Sequence, residues 1–290
     1  MGVTYVDAAD KHRARLCGPW TLEKLTYLRK YANAFMTAMA PKRAQGKWES
    51  LVFIDLLAGP GLTIDRHTQK EFPGSALIAL NTMPRFDRLY LGDLLKTNVA
   101  ALRARLGDEA ARVDIKAADC NIRVHEVVQQ VSSRALGLAF VDPAGFEVHF
   151  STLRALAQRQ IDVLLLFPSG IGIARNLQQF ARETHSAMDD FWGGRQWREL
   201  PIARAAAGGK VNPEELSASL DHSWVAAFRK RMTEIGFACQ DHSAPSFCNE
   251  RNVAMYHLLF FSHHPIGLRI WRRIKQIEPT GQRGLQFGDA

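Results

Sequence analysis

Four acidic residues stand where short apolar runs end. Asp55 closes the run from Leu51, Asp93 the run from Arg88, Asp119 follows Val113–Ala117, and Asp142 follows Leu136–Val141. After the first of these the chain reads Asp55-Leu56-Leu57-Ala58-Gly59-Pro60-Gly61. Glycine lets a backbone turn sharply and approach a ligand where a Cβ would clash. An acid at a neighbouring strand end can accept hydrogen bonds from a ribose diol, which suits Asp93. Asp119 and Asn121, near the third strand end, suit an adenine amino group. Asp55, Gly59, Pro60, Gly61, Ser75, Asp93, Asp119 and Asn121 are therefore the candidate residues for an adenosine-type cofactor. Taken singly, Asp and Asn also favour helix caps and turns; acids at successive strand ends beside a glycine turn favour a site.

Three further residues are candidates for chemistry. Asp142 opens the turn Asp142-Pro143-Ala144-Gly145-Phe146. Phe146 or Phe167 offers a ring on which a base could stack, and Phe146 could equally be a ring for the core. Lys24 could pair with a carboxylate or phosphate, or be a solvated helix charge. Asp55, Asp119 and Asp142 would also suit a nuclease using Mg²⁺ or Mn²⁺, although the glycine turn would then serve no purpose. No P-loop occurs, and a dinucleotide fingerprint lacks its third glycine, because Gly61 continues as Leu62-Thr63-Ile64. Cys239 and His242 have a ligand-like spacing, but zinc sites need a second tight pair, so no metal is expected.

These residues need elements to hold them. Residues 1–20 read as a loosely ordered lead-in. Leu22, Leu25, Leu28, Ala32, Phe35, Met36 and Met39 recur at helical spacing, with Thr21 as N-cap and Pro41 as terminator. A strand spans Leu51–Leu57, Thr63–Pro73 reads as an exposed polar loop, and Gly74-Ser75 opens a short helix through Leu80. Strands at 88–91, 113–117, 136–141 and 161–167 alternate with helices at 94–106, 122–132 and 150–158. That rhythm predicts an α/β, Rossmann-like fold with a mostly parallel, doubly wound sheet. Helices at 171–182 and 223–235 follow, then a closing strand pair (237–240 and 253–261) and a last helix (266–277). The N-terminal helix, C-terminal antiparallel pair and final helix thus belong to one domain, residues 21–278. Residues 168–252 form a helical or irregular insertion within it, and 279–290 a tail.

With 290 residues, 47% of them apolar, the chain can bury a substantial core. Four scattered cysteines without a CxxC pair read as reduced thiols. No apolar leader or membrane-length segment is found, which predicts a cytoplasmic protein free of the membrane. The net charge is +8 and the isoelectric point about 9.5, which fits a polyanionic partner. Arg66 and Lys70 in the polar loop would overhang the glycine turn. Arg269, Arg272, Arg273 and Lys275, around Trp271, would face away from a stripe of Ile266, Ile270, Ile274 and Ile277. Both groups are candidate nucleic-acid contacts, with Trp271 as an aromatic that could stack on a base.

The segment Phe53-Ile54-Asp55-Leu56-Leu57-Ala58-Gly59-Pro60-Gly61 resembles the first motif of class I S-adenosylmethionine-dependent methyltransferases. More closely, the chain resembles the three-Cys-motif partner (TcmP) family. The likeness runs through Trp20-Thr21-Leu22-Glu23-Lys24-Leu25 with Tyr31, the glycine turn, Gly74-Ser75, Asp119-Cys120-Asn121 and Val141-Asp142-Pro143 with Gly145-Phe146. It continues through Phe191-Trp192-Gly193, Trp197, Tyr256-His257-Leu258 and Ile270-Trp271, covering residues 20 to about 274. The resemblance implies a class I methyltransferase fold, S-adenosylmethionine as cofactor, and association with DNA maintenance or repair beside a three-Cys-motif partner protein. The turn at Asp142 is similar to that of base amino-methylating enzymes in its acid and first proline, but lacks their second proline and adjacent aromatic. Cytosine-C5 methylation would need a Pro-Cys dipeptide, which is absent. The sequence thus points to a methyltransferase-like protein acting on or with nucleic acid. A non-catalytic binding module on the same fold, and the nuclease, are the alternatives.

Overall fold

The computed structural model describes residues 3–169, 171–208, 213–248 and 254–276. The expected tail therefore lies outside the described residues. The order of elements is β1 (Thr4–Asp7), β2 (Arg13–Cys17), α1 (Pro19–Ala44), β3 (Leu51–Asp55), β4 (Leu62–Asp65), β5 (Glu71–Pro73), α2 (Ser75–Leu80), β6 (Arg88–Asp93), α3 (Lys96–Ala104), β7 (Val113–Ala117), α4 (Cys120–Gln130), β8 (Leu136–Val141), α5 (Phe150–Leu156) and β9 (Gln160–Pro168). Then come α6 (Ile171–Arg182), α7 (Ala187–Trp192), α8 (Pro201–Ala207), α9 (Pro213–Glu234), β10 (Cys239–Gln240), β11 (Ser246–Cys248), β12 (Ala254–Ser262) and α10 (Pro265–Lys275).

The main sheet has the order β10-β12-β9-β8-β3-β6-β7, with β11 added against β12. β7, β6, β3, β8 and β9 pair in parallel, whereas β12 runs antiparallel between β9 and β10. Numbered by succession within this path, the strands lie in the order 3-2-1-4-5-7-6, with the seventh reversed. This is the class I methyltransferase topology. β3, β8 and β9 are buried along nearly their whole length, which is why they read as continuous apolar runs rather than alternating ones. One face of the sheet packs on α1, α2, α3 and α10, and the other on α4, α5 and the helical segment that follows β9. The parallel order reverses between β3 and β8, so the carboxyl ends of β3, β6, β7 and β8 converge on the crevice where such sheets take ligands.

A second, four-stranded sheet has the order β1-β2-β4-β5. It replaces both the lead-in and the exposed loop expected from the sequence. β2 pairs in parallel with β4, bringing Arg15 opposite Thr63 and Cys17 opposite Asp65. Ala8, Ala14 and Ile64 form its small apolar core. These strands are three to five residues long, too short to show alternation, and their partners lie far apart in sequence.

The first helix also departs from expectation. It starts after Gly18 as N-cap, with Pro19 in its first turn rather than Thr21 as cap, and runs through Pro41 to Ala44. A proline at N1 gives up only an N–H that has no partner anyway. Pro41 costs one bond near the far end, which the packing of Leu28, Tyr31, Ala32, Phe35 and Met36, all nearly fully buried, outweighs. On α10 the buried stripe is Gly267, Trp271 and Ile274, with Ile266 and Ile270 at its margin. Trp271 is therefore no platform for a base. It stacks on Phe260 at 5.5 Å and lies beside Tyr27 and Tyr31. A Cβ on Gly267 would stand 2.7 Å from Ser262 Oγ and 2.8 Å from Asp162 Oδ2, so α10 can settle here only without a side chain.

Asp162 is the polar tie beneath this packing. It is buried at the start of β9 and accepts from Tyr31 Oη at 2.6 Å. Burial pushes its carboxyl up to about 6, against the pull of the Ser262 and Tyr31 hydroxyls. A pKa raised on folding contributes stability that is complete below the unfolded value and disappears as pH rises through the folded one. Tyr31→Phe should therefore cost about 1 kcal/mol at pH 5, where the carboxyl is neutral. At pH 8, where a buried charge loses a donor, the cost should reach roughly 2–3 kcal/mol. Urea unfolding at the two pH values measures the difference; equal losses would remove Asp162 from this role.

Candidate functional site

The glycine turn leaves β3 with Gly59 at φ 62° and Gly61 at φ 92°, both left-handed. The two glycines serve different ends. A Cβ on Gly61 would meet Leu102 Cδ1 at 2.8 Å, so this glycine lets α3 approach. A Cβ on Gly59 would meet nothing within 4 Å, so its backbone borders open space. Pro60 is buried, and its carbonyl accepts from Arg105, which also holds the Arg13 carbonyl and Asp10. The turn is thereby clamped to the β1–β2 hairpin.

Asp55 does not reach solvent. Its Oδ1 accepts from Leu57 N at 3.1 Å, and burial pushes its carboxyl up to about 7, with the Ser75 hydroxyl pulling the other way. The buried Ser75 thus supports Asp55 from the start of α2. Asp93 is occupied on both oxygens. Oδ2 accepts from Gly59 N at 3.0 Å, while Oδ1 accepts from Leu95 N at 2.8 Å and Asn98 Nδ2 at 3.0 Å. A carboxylate has roughly four acceptor positions, so one more donor can be received. Asp119 caps α4 through Asn121 N at 2.7 Å and is otherwise exposed. The Asn121 amide is committed to the loop after β8: it donates to Glu147 O, and accepts from His149 N and Thr152 Oγ1. It shapes that loop rather than facing the crevice.

Just after Asp93 and Asp119 stand apolar residues whose exposure the sequence did not announce. Leu94 and Ile122 are each 68% exposed at neighbouring strand ends, and Leu95 is 42% exposed. Each follows its strand-end acid by one to three residues, in a helix approach where polar residues are usual.

At the end of β8, Lys24 and Asp142 meet. Lys24 Nζ donates to both carboxylate oxygens, at 2.7 and 2.6 Å. The side chains are 4% and 12% exposed, so Lys24 is no solvated helix charge. Burial lowers its pKa and the Asp142 charge restores part of the loss. The loop beyond is held by Glu147, whose carboxylate accepts from Ala144 N and Gly145 N. Phe146 turns away from the crevice and meets Phe180 and Phe191 edge-on at 5.5 and 5.3 Å, so it is a packing ring. The aromatic at this turn is Tyr256 on β12, half-buried, with its hydroxyl 3.5 Å from Ala144 O. Burial and the Asp142 charge push its hydroxyl pKa up. Phe167, a second possible platform, is fully buried.

The nuclease arrangement does not form. Asp142 is neutralised by Lys24, Asp55 is enclosed, and among the described residues no group of three His, Cys, Asp or Glu side chains could hold a metal ion. The two basic groups lie on separate elements. Arg66 stands over the Trp20 ring at 5.5 Å and Lys70 is exposed on the same turn. Arg269, Arg272 and Arg273 are exposed on the outer face of α10, while Lys275 turns inward to pair with Asp241. No described helix is long and apolar enough to cross a membrane.

No protein-family model matches the chain, and no curated protein matches it. The resemblance to three-Cys-motif partner proteins therefore rests on the sequence motifs alone. Among solved structures it is similar to protein LPL1258 from Legionella pneumophila, with 12% identity over 89% of this chain and 95% of the other, at a TM-score of 0.47. It is also similar to a 16S rRNA (adenine(1408)-N(1))-methyltransferase from Catenulisporales acidiphilia, with 13% identity over 77% and 90% at a TM-score of 0.35. A SAM-dependent methyltransferase from Anabaena variabilis gives 12% identity over 79% and 82% at a TM-score of 0.32. Likenesses this distant carry no argument; the strand order is what establishes the fold.

Proposed function

We propose that the chain is an S-adenosylmethionine-dependent methyltransferase acting on nucleic acid, in DNA modification or repair alongside a three-Cys-motif partner protein. The observation that carries the cofactor reading is the crevice itself. The Gly59 backbone borders open space, the Asp93 carboxylate has an acceptor position left, and Leu94 and Ile122 are exposed at the next two strand ends. Those groups suit, in turn, an amino-acid tail, a ribose hydroxyl and the two faces of a purine ring. When bound, the cofactor supplies an electrophilic methyl group. The protein supplies position. Lys24 fixes the Asp142 carboxylate at the strand end, where it can accept from an N–H or O–H of the acceptor, and Tyr256 stands beside the same turn as a wall for a flat base. The nucleic-acid part rests on the net charge of +8 and on Arg66, which stands over Trp20 in the first turn of α1, with Lys70 exposed on the same turn as Arg66.

Calorimetry with S-adenosylmethionine tests the cofactor reading. Micromolar binding by the wild type and a loss of tenfold or more in Asp93→Ala are expected; absence of heat in the wild type would sink the proposal. Asp55 adds a pH dependence. With its pKa raised to about 7, it is largely protonated at pH 6, and a cationic ligand favours the ionised form. Affinity should rise between pH 6 and 8 with proton release, and Asp55→Asn should flatten that rise. Lys24→Gln leaves a buried carboxylate without its cation and should cost about 3–5 kcal/mol of stability in urea unfolding. Lys24→Gln combined with Asp142→Asn should recover most of it but remain inactive.

A further inference from the structure

Arg15 stands out as a charge without a counter-ion. On β2 its side chain shares a face with Tyr5, Arg13, Cys17 and Thr63, by register, whereas Ala14, Leu16 and Ile64 form the opposite, apolar face. The polar face is anchored at one end. Arg13 Nη1 donates to Thr97 Oγ1 at 2.8 Å, and Tyr5 Oη accepts from Asn98 Nδ2 at 3.1 Å, both beside the end of β6. At the other end Arg15 acts electrostatically on Lys24, Cys17 and Tyr256. Two residues on, β2 ends at Cys17 and the chain enters α1, whose Lys24 pairs with Asp142, so Arg15 stands on the approach to the Asp142 end of the crevice.

Asp142, Glu147 and Asp65 already hold other donors. Lys24 takes both oxygens of Asp142, and the Glu147 oxygens take Ala144 N and Gly145 N. Asp65, opposite Cys17, accepts from His67 N and Thr68 N. The Arg15 side chain is only partly exposed and, among the described residues, makes no hydrogen bond or ion pair. The other arginines of this end are tied: Arg13 to Thr97, and Arg105 to Asp10. A partly desolvated guanidinium with a free fork of N–H donors matches an oxyanion in shape and charge. The approach is basic as well, because Arg66 N donates to Cys17 O at 3.0 Å and its guanidinium covers Trp20.

We propose that Arg15 is the receptor for a phosphate of the acceptor strand, seating it so that the target base reaches Asp142 and Tyr256. This rests on the methyltransferase reading and extends it from a cofactor site to a phosphodiester acceptor. The test compares wild type, Arg15→Gln and Arg15→Lys, with Arg85→Gln as a charge control whose partner Glu109 lies away from the crevice. Fluorescence anisotropy with a labelled single-stranded DNA 20-mer, in saturating S-adenosylhomocysteine, gives the affinity and its salt dependence. Calorimetry gives the Kd for S-adenosylhomocysteine itself. Arg15→Gln should weaken oligonucleotide binding roughly tenfold or more, lower the salt slope by about one and leave the S-adenosylhomocysteine Kd and the Tm unchanged. Arg15→Lys should fall between, keeping the charge but not the fork. An oligonucleotide loss no larger than that of Arg85→Gln overturns the proposal. So does a weakened S-adenosylhomocysteine Kd in Arg15→Gln, which would put Arg15 on the cofactor's carboxylate. Failure of the wild type to bind S-adenosylhomocysteine would instead remove the methyltransferase reading, and this assignment with it.

Discussion

The buried pair between Lys24 and Asp142 fixes the geometry around it. Taking two charges out of water costs several kcal/mol each, and their attraction offsets this only when the contact is close and complete. Here one ammonium meets both oxygens at 2.6–2.7 Å. The contact joins the first turns of α1 to the end of β8, across 118 residues of sequence. It therefore sets where α1 begins, where β2 enters above it, and where the turn after β8 stands. An apolar pair could pack as well, but would not hold a carboxylate in one orientation at a strand end. The pair accordingly combines a structural cost with a chemical purpose.

The parts of the fold that were legible in the sequence are those built from local signals. The buried strands at 136–141 and 161–167 read directly from apolar runs, and the helix at 171–182 from its spacing. Asp55, Asp93 and Asp142 were found at strand ends because strand ends are where a doubly wound sheet presents ligand groups. What stayed hidden depends on pairing over distance. β2 and β4 are short strands that become a sheet only when residues 15 and 63 meet. Arg15 consequently carried no signal as a site residue. Lys24 was legible as a candidate to pair with a carboxylate, but the sequence left open a solvated helix charge, because only the fold shows that Asp142 lies within reach.

Two corrections share a cause. Phe146 and Trp271 were candidates for stacking on bases because they stood beside polar residues in sequence. Both pack against other rings instead, Phe146 on Phe180 and Phe191, and Trp271 on Phe260. A large ring removes so much apolar area from water that the core outcompetes the surface unless a ligand covers it. Leu94 and Ile122 show the reverse. Nothing in the described structure covers them, and their sequence neighbours did not mark them.

The parallel pairing of β2 with β4 has a bearing on how the molecule assembles. The chain between them contains α1, β3 and the glycine turn, so the ladder closes only after those elements have formed and docked. Its few bonds must repay the closure of a loop nearly fifty residues long, an entropic cost met late. Such a unit belongs to the last stage of folding and to the first stage of local opening. The same sheet is tied to the glycine turn through Arg105 and to the start of α3 through Arg13, so its late closure also fixes the surroundings of that turn late. The sheet that bears the acids, by contrast, is built from strands joined by short crossovers and does not wait on that closure.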